Sequence, residues 1–370
     1  MPLPVRNSYD ILLYPFSLVY GLIVWLRNTL FDLQIIRSAE FPIPVISVGN
    51  ITVGGTGKTP HTEYLVDLLK EEFRVATLSR GYRRKTRSFI LAGADPDVWE
   101  IGDEPVQIKN KYPETEVAVD RKRVNGIRQL LKRIPDLDVI LLDDGYQHRY
   151  VKPGLSILLI DFNRPIWSDH LLPAGRLREP AYEKRRANII LITKCPDRLK
   201  PIERRIIVKD LKLYPFQHLY FTKLTYGQPV PVFSSSDPMS LSEIKALKPR
   251  ILMVSGIAGP RLFKRHLRGI STHITEMNYP DHHDFSDRDL ERITLTFHEL
   301  EGKNKFIFTT EKDATRLRRF TGIETAVRER MYYVPLGIDF LNQDRDNFNN
   351  HIYSYVRDNK RNSILHKGKD

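Results

Sequence analysis

At 370 residues, with 41% hydrophobic and 28% charged side chains, the chain is long enough for two ordinary domains with a cleft between them and too apolar for wholesale disorder. A formal net charge of +13, from 58 Lys and Arg against 45 Asp and Glu, favours a polyanionic partner, but no nucleic-acid-binding module of the usual spacing is present, so nucleic acid is not expected. A single cysteine, Cys195, excludes an intramolecular disulfide and a multi-cysteine zinc cage and points to a reducing compartment for the soluble part.

From Ile11 to Leu26 the chain carries 16 residues without a charge, bracketed by Arg6 and Arg27, with Tyr14, Tyr20 and Trp25 near the ends. The run falls just short of a comfortable bilayer span, and no small-x-small cleavage site follows it, which disfavours a signal peptide. Residues 1–35 are therefore expected to form an N-terminal membrane-associating helix, spanning the bilayer or lying in its surface. A buried amphipathic helix of the first domain is the competing reading.

The next segment reads as a nucleotide site. A β-branched run, Val45 to Val48, enters the loop GGTGKT, and a helix follows with apolar residues at Tyr64, Leu65, Leu68 and Leu69, the context of a P-loop. Gly54, Gly55 and Gly57 let backbone amides close around phosphate oxygens; Lys58 can reach the β and γ phosphates, and Thr59 can place its hydroxyl on Mg²⁺. Thr52, Val53 and Thr56 complete the loop. The full consensus has glycine where Thr52 stands, so the match is to the core of the motif.

Farther on, DLDVILLDDGYQHR carries Val139–Leu142 into Asp143 and Asp144, a Walker B arrangement in which a buried parallel strand delivers carboxylates beside the P-loop. Further strands at Ile157–Asp161 and Ile189–Thr193 alternate with helical segments. The expected fold is α/β: a P-loop NTPase-like, doubly wound, mainly parallel sheet with a second, smaller α/β domain.

The proline-interrupted and polar stretch past Leu219 suggests a hinge, giving a P-loop domain over 36–220, a linker over 221–249, a smaller domain over 250–340, and a return helix and basic tail over 341–370. In the smaller domain the strand Ile251–Ser255 runs into a turn shaped by Gly256 and Gly259 but lacks Gly-Lys-Thr, so no second nucleotide site is expected there. His282 and His283 precede Ser286, a good helix N-cap with Asp289 in register behind it. The strand Lys305–Thr310 ends in Glu311, Lys312 and Asp313.

The motifs SVGNITVGGTGKTP, LSRGYRR, GDEP, VAVDRKR, LLDDGYQHR, LLPAGRLREP, PDHHDFS and TTEKDATRL, in this order between Ser47 and Leu317, resemble the tetraacyldisaccharide 4′-kinase family. The resemblance implies transfer of the ATP γ-phosphate, with Mg²⁺, to the 4′-hydroxyl of a tetraacylated glucosamine disaccharide 1-phosphate at the cytoplasmic face of the inner membrane. Its implied partners are that lipid-linked disaccharide and an anionic membrane surface, with no obligatory protein partner. Residue by residue, it makes Asp103 the candidate base, paired with His282, with Glu104 beside it; Asp143 and Asp144 support the metal and the catalytic network, and Lys58 and Thr59 serve phosphate and Mg²⁺. Which acid is base and which supports the metal stays open, with Glu104 a candidate for both metal and substrate. Gln147 and His148 follow on the Walker B loop. Arg123, Arg176 and Arg178 suit the planar, bidentate recognition that phosphate-rich chemistry needs, while Arg80, Arg83 and Arg84 could equally face lipid head groups. The run TKCPD is only a faint match to a guanine-reading loop, which keeps ATP ahead of GTP. The competing function is a membrane-associated P-loop switch or assembly ATPase without a sugar substrate; such ATPases usually carry lysine where Val53 stands.

Overall fold

Short apolar runs that are too uniformly hydrophobic for a surface helix become the central strands. The computed structural model describes residues 8–82, 84–233 and 237–367, so Arg6, Arg83 and the last three residues of the basic tail lie outside the described residues. Among the described residues two sheets form. The first takes β1 (Val45–Gly49), β2 (Val75–Ser79), β3 (Ile90–Leu91), β4 (Glu116–Val119), β5 (Val139–Asp143), β6 (Leu155–Asp161), β7 (Ile189–Thr193) and β8 (His218–Tyr226). The second takes β9 (Val230–Pro231), β10 (Arg250–Ser255), β11 (Ile274–Asn278), β12 (Lys305–Thr310) and β13 (Met331–Val334), after which β14 (Leu336–Phe340) rejoins the first.

The first sheet has the order β14-β8-β7-β6-β1-β5-β2-β4-β3, parallel except where β14 meets β8 and β3 meets β4. Alternate residues of its central strands feed different cores. Ile46, Val48, Val139 and Leu141 pack with Leu65, Val66 and Leu69 of the helix Lys58–Leu69 and with Phe348, Ile352 and Val356 of the final helix; Val45, Ile140 and Leu142 pack with Ile127 and Leu130 of the helix Arg123–Arg133 on the other side. Helices on both faces explain why these strands are apolar throughout instead of alternating. The β1–β5 register sets Val48 opposite Asp143, so the strand-end carboxylate lies next to the start of the P-loop.

The division of the chain differs from the expected one. Residues 221–226, expected as linker, belong to β8, while Val230–Pro231 already pairs with β13 and Ile244, in the helix Leu241–Ala246, is buried in the second core. β14, expected with the smaller domain, pairs along its whole length with β8 in the large sheet. Only Pro335 separates β13 from β14, too brief a break to signal a change of sheet in the sequence. The two crossings between lobes run side by side, with Gly227 N donating to Pro335 O at 2.9 Å. The final helix, Asp344–Lys367, takes in most of the segment expected to hold both a return helix and a basic tail.

The N-terminal helix Ser8–Asp32 lies against the first lobe. Ser17 Oγ donates to Leu171 O, Tyr20 Oη to Arg178 O and Arg27 to Gln147 O, while Leu12, Phe16, Val19, Leu22, Ile23 and Leu26 are exposed on the outer side. No described helix is long and apolar enough to cross a membrane.

Candidate active site

The P-loop is braced before it meets any ligand. Gly57, at φ +90°, turns the chain into the helix Lys58–Leu69, a left-handed conformation that favours glycine. Asn50 Nδ2 donates to Thr56 Oγ1 (2.9 Å), Thr193 Oγ1 donates to Thr56 O (2.8 Å), and Val53 N donates to Arg176 O (2.8 Å). Thr52 bridges Leu177. Beneath the loop, buried His61 donates from Nδ1 to Gly57 O (2.6 Å) and accepts at Nε2 from Thr222 Oγ1 (2.9 Å). Gly54 and Gly55 remain open to solvent at the mouth.

Lys58 Nζ lies 3.4 Å from Asp144 Oδ1. Asp143 is buried, accepts from Thr62 Oγ1 at 3.2 Å, and has its carboxyl pushed up by burial and then by the charges of Glu104 and Asp144, with Lys58 opposing. Arg178 Nη1 donates to Gln147 Oε1 at 3.2 Å and lies 3.8 Å from Asp144. Arg123 is buried under the same loop; burial draws its guanidinium down to about 10 against the pull of Asp144 and Asp143, and it donates to the carbonyls of Asp120 (2.9 Å) and Asp143 (3.4 Å). His148 is held neutral, near 4, by burial and by the charges of Arg123, Arg27 and Arg80. Arg176 enters through its backbone, bracing Val53. Thr59 follows Lys58 in the first helical turn.

A second group closes the site from across the cleft. Asp103 opens the helix Asp103–Lys111, and Gly102 before it has φ +95°; a Cβ there would sit 2.8 Å from Tyr82 O, so glycine permits the GDEP and RGYRR segments to touch. His282, from the second lobe, donates from Nδ1 to Asp103 Oδ2 at 2.9 Å and accepts at Nε2 from Lys312 Nζ at 2.8 Å. Arg316 Nε donates to Asp103 Oδ1 at 2.9 Å, and its Nη2 contacts Oδ2. Burial would raise the Asp103 carboxyl, but hydrogen bonds from His282 and Arg316 and the charges of Arg316 and Lys312 hold it at about 2. Lys312 Nζ also lies 3.8 Å from Glu104 and 3.7 Å from Asp281. His283 turns away to Asp289, at 3.0 Å.

The structure thus brings Lys58, Asp143, Asp144, Arg123, Gln147 and Arg178 together at the end of the first sheet and joins Asp103 to His282 across the lobes. Glu104 connects the groups, facing Lys312 and raising Asp143. Residues not singled out from sequence are Lys312 and Arg316, with Tyr82, whose ring lies 4.8 Å from that of His282. The available signal was the four-residue spacing of Lys312 and Arg316, which puts both on one face of the Thr310-capped helix Glu311–Leu317.

The acids at the P-loop suit a divalent cation. Asp143 is buried among carboxylates with Lys58 as the opposing charge, so a cation there would relieve repulsion that burial sharpens. Among the described residues no three His, Cys, Asp or Glu side chains form a metal-binding cluster.

Residues 9–357 match the family model for Tetraacyldisaccharide-1-P 4′-kinase. The tetraacyldisaccharide 4′-kinase of Phocaeicola vulgatus is 50% identical over 353 residues, covering 95% of this chain and 96% of that protein. The tetraacyldisaccharide 4′-kinase of Bacteroides thetaiotaomicron is 48% identical over 358 residues, 95% of this chain and 94% of its own length. Among solved structures, LpxK from Aquifex aeolicus in complex with ATP superposes with a TM-score of 0.72 at 28% identity, covering 94% of this chain and 100% of that one.

Proposed function

Because the chain belongs to the tetraacyldisaccharide-1-P 4′-kinase family, we propose that the cleft between its P-loop and the Asp103–His282 pair is where the family's reaction takes place. The chain is an ATP-dependent kinase of a lipid A precursor, transferring the γ-phosphate to the 4′-hydroxyl of a tetraacylated disaccharide 1-phosphate. The observation that carries the site assignment is the meeting of Asp103 from the first lobe with His282 from the second, beside a P-loop whose lysine faces the Walker B acids.

In this reading the GGTGKT backbone, from Thr52 and Val53 through Gly54, Gly55, Thr56 and Gly57, cradles the phosphates, and Lys58 neutralises their outer oxygens. Thr59, Asp143 and Asp144, with Glu104 nearby, would hold Mg²⁺, which would neutralise phosphate charge when bound. The Asp103 carboxylate, ionised at any working pH, takes the hydroxyl proton as the new P–O bond forms, and His282 orients it. A loose transition state loses that proton late, so even a weakly basic carboxylate suffices. Arg178, Gln147, Arg123 and His148 form the phosphate-binding wall, braced by the Arg176 backbone, where donors in a drier cleft count for more than surface charges. The exposed apolar side of the N-terminal helix rests on an anionic bilayer surface at the cytoplasmic face of the inner membrane, bringing a lipid acceptor to the adjacent mouth without a protein partner.

The test is the position of the new phosphate. Phosphorus NMR of the product should show a second monoester at the 4′ oxygen with the 1-phosphate intact; a phosphate elsewhere on the acceptor would refute the regiochemistry.

A further inference from the structure

Away from the reacting groups, three ionisable side chains meet where the lobes join. Glu63 lies in the second turn of the nucleotide helix, five residues after Lys58. Its Oε1 accepts from Gln107 Nε2 at 2.7 Å and its Oε2 from Lys111 Nζ at 2.6 Å. Lys111 Nζ also lies 3.8 Å from Glu311 Oε2. Glu311 begins the second-lobe helix that carries Lys312 and Arg316, and its Oε2 accepts at 3.4 Å from Leu336 N, at the return crossing between the lobes.

The two helices therefore run antiparallel and are clasped at both ends. Asp103 opens its helix and is held by Arg316; Lys111 closes the same helix and reaches Glu311. One ammonium serves two largely buried carboxylates, whose side chains are 3% and 12% exposed. Without that ammonium the two carboxyls, both already pushed up by burial, would share a low-dielectric pocket with no cation tying the lobes, and protonation or separation would relieve it. None of the three side chains touches the Asp103–His282 pair, yet each sits on an element that presents a site residue.

We propose that Lys111 is a positioning residue, which joins Glu63 of the nucleotide helix to Glu311 of the second lobe and so holds Arg316, Lys312 and His282 in register with Asp103. The inference rests on the reaction proposed above. It makes seating of the proton acceptor depend on a contact with the helix that carries the P-loop lysine.

The test compares wild type with Lys111→Met, Lys111→Arg and Glu311→Gln in detergent with Mg-ATP and the tetraacylated disaccharide 1-phosphate. Misplacing a reacting group by about 1 Å costs on the order of a hundredfold, so kcat should fall about 10- to 100-fold in Lys111→Met, with ATP affinity within about threefold. Lys111→Arg should restore kcat to within about threefold of wild type, a rescue that loss of packing alone would not give. An unchanged kcat in Lys111→Met overturns the proposal, as does a parallel loss of ATP binding and kcat that arginine does not repair. If Lys111→Met does not fold, Glu311→Gln, which keeps the Lys111–Glu63 contact, decides by the same criteria.

A second readout is independent of turnover: the distance distribution by pulsed EPR between spin labels at exposed Arg128→Cys and Glu291→Cys. It should broaden or lengthen in Lys111→Met, and an unchanged distribution contradicts the tie. Should wild type make no product, the proposed reaction fails, while the distance measurement still answers for Lys111.

Discussion

Arg316 of the second lobe grips both carboxylate oxygens of Asp103 in the first, and each side chain is only 5% exposed. Removing one partner of such a pair strands a buried charge, at a cost of about 3–5 kcal/mol. Arg316→Met should lower the denaturant midpoint of the protein accordingly, and Arg316→Lys should recover only part of the loss, because an ammonium cannot span both oxygens. Equal midpoints for Arg316→Met and wild type would mean that the pair contributes nothing to holding the lobes.

Asp103 is separated from the P-loop contacts, so its role can be tested apart from nucleotide binding. Asp103→Asn should keep ATP affinity near that of wild type while the transfer rate falls about 10²–10⁴-fold, the range for losing a general base. Calorimetric ATP titration beside a single-turnover assay checks this. Loss of ATP binding would remove Asp103 from the base role.

The buried histidine beneath the P-loop sets a pH dependence. Burial draws the His61 imidazole from its ordinary 6.5 down to about 4, with Lys194 adding to the effect and the Gly57 carbonyl opposing it. The unfolded chain therefore binds a proton that the folded chain refuses between those values. Its contribution is complete above about pH 6.5 and is lost as pH falls toward 4, amounting to about 3 kcal/mol for a fully buried group. His148 is shifted in the same direction and steepens the decline. Denaturant melts of wild type and His61→Gln between pH 7 and 4 check it; the variant should show a shallower slope.

The outer side of the N-terminal helix is expected to carry the bilayer contact. Leu22 and Leu26 are 62% and 52% exposed there. Burying a leucine in an apolar phase is worth about 1.5–3 kcal/mol, so Leu22→Ser with Leu26→Ser should weaken binding to anionic vesicles at least tenfold, roughly. Phosphorylation of acceptor in detergent micelles should change little. Unaltered vesicle flotation would argue that another surface makes the contact.

The nucleotide half of the molecule was legible because its signals are local. A β-branched strand, a glycine loop and a helix are contiguous in sequence, and the LLDD run needs only a parallel neighbour to bring Asp143 beside the loop. The α/β, mainly parallel fold followed from the same runs. The expected domain limits misplaced β14, since Leu336–Phe340 is separated from the second lobe by one proline and finds its partner β8 over a hundred residues earlier. Lys312 and Arg316 were hidden for a related reason: Arg316 meets Asp103 across 213 residues, and its four-residue spacing from Lys312 is equally that of a solvated helix face. Proline and polar composition suggested a long linker; hydrogen bonding at β8 and β9 reduces it to a few residues.

The most direct measurement is phosphate transfer from γ-labelled ATP, with Mg²⁺ and detergent, to a tetraacylated glucosamine disaccharide 1-phosphate, with the Lys58→Ala protein run in parallel. Wild type should place label in the lipid, and Lys58→Ala should abolish it. ATP hydrolysis by wild type with the lipid left unlabelled would contradict the proposed transfer.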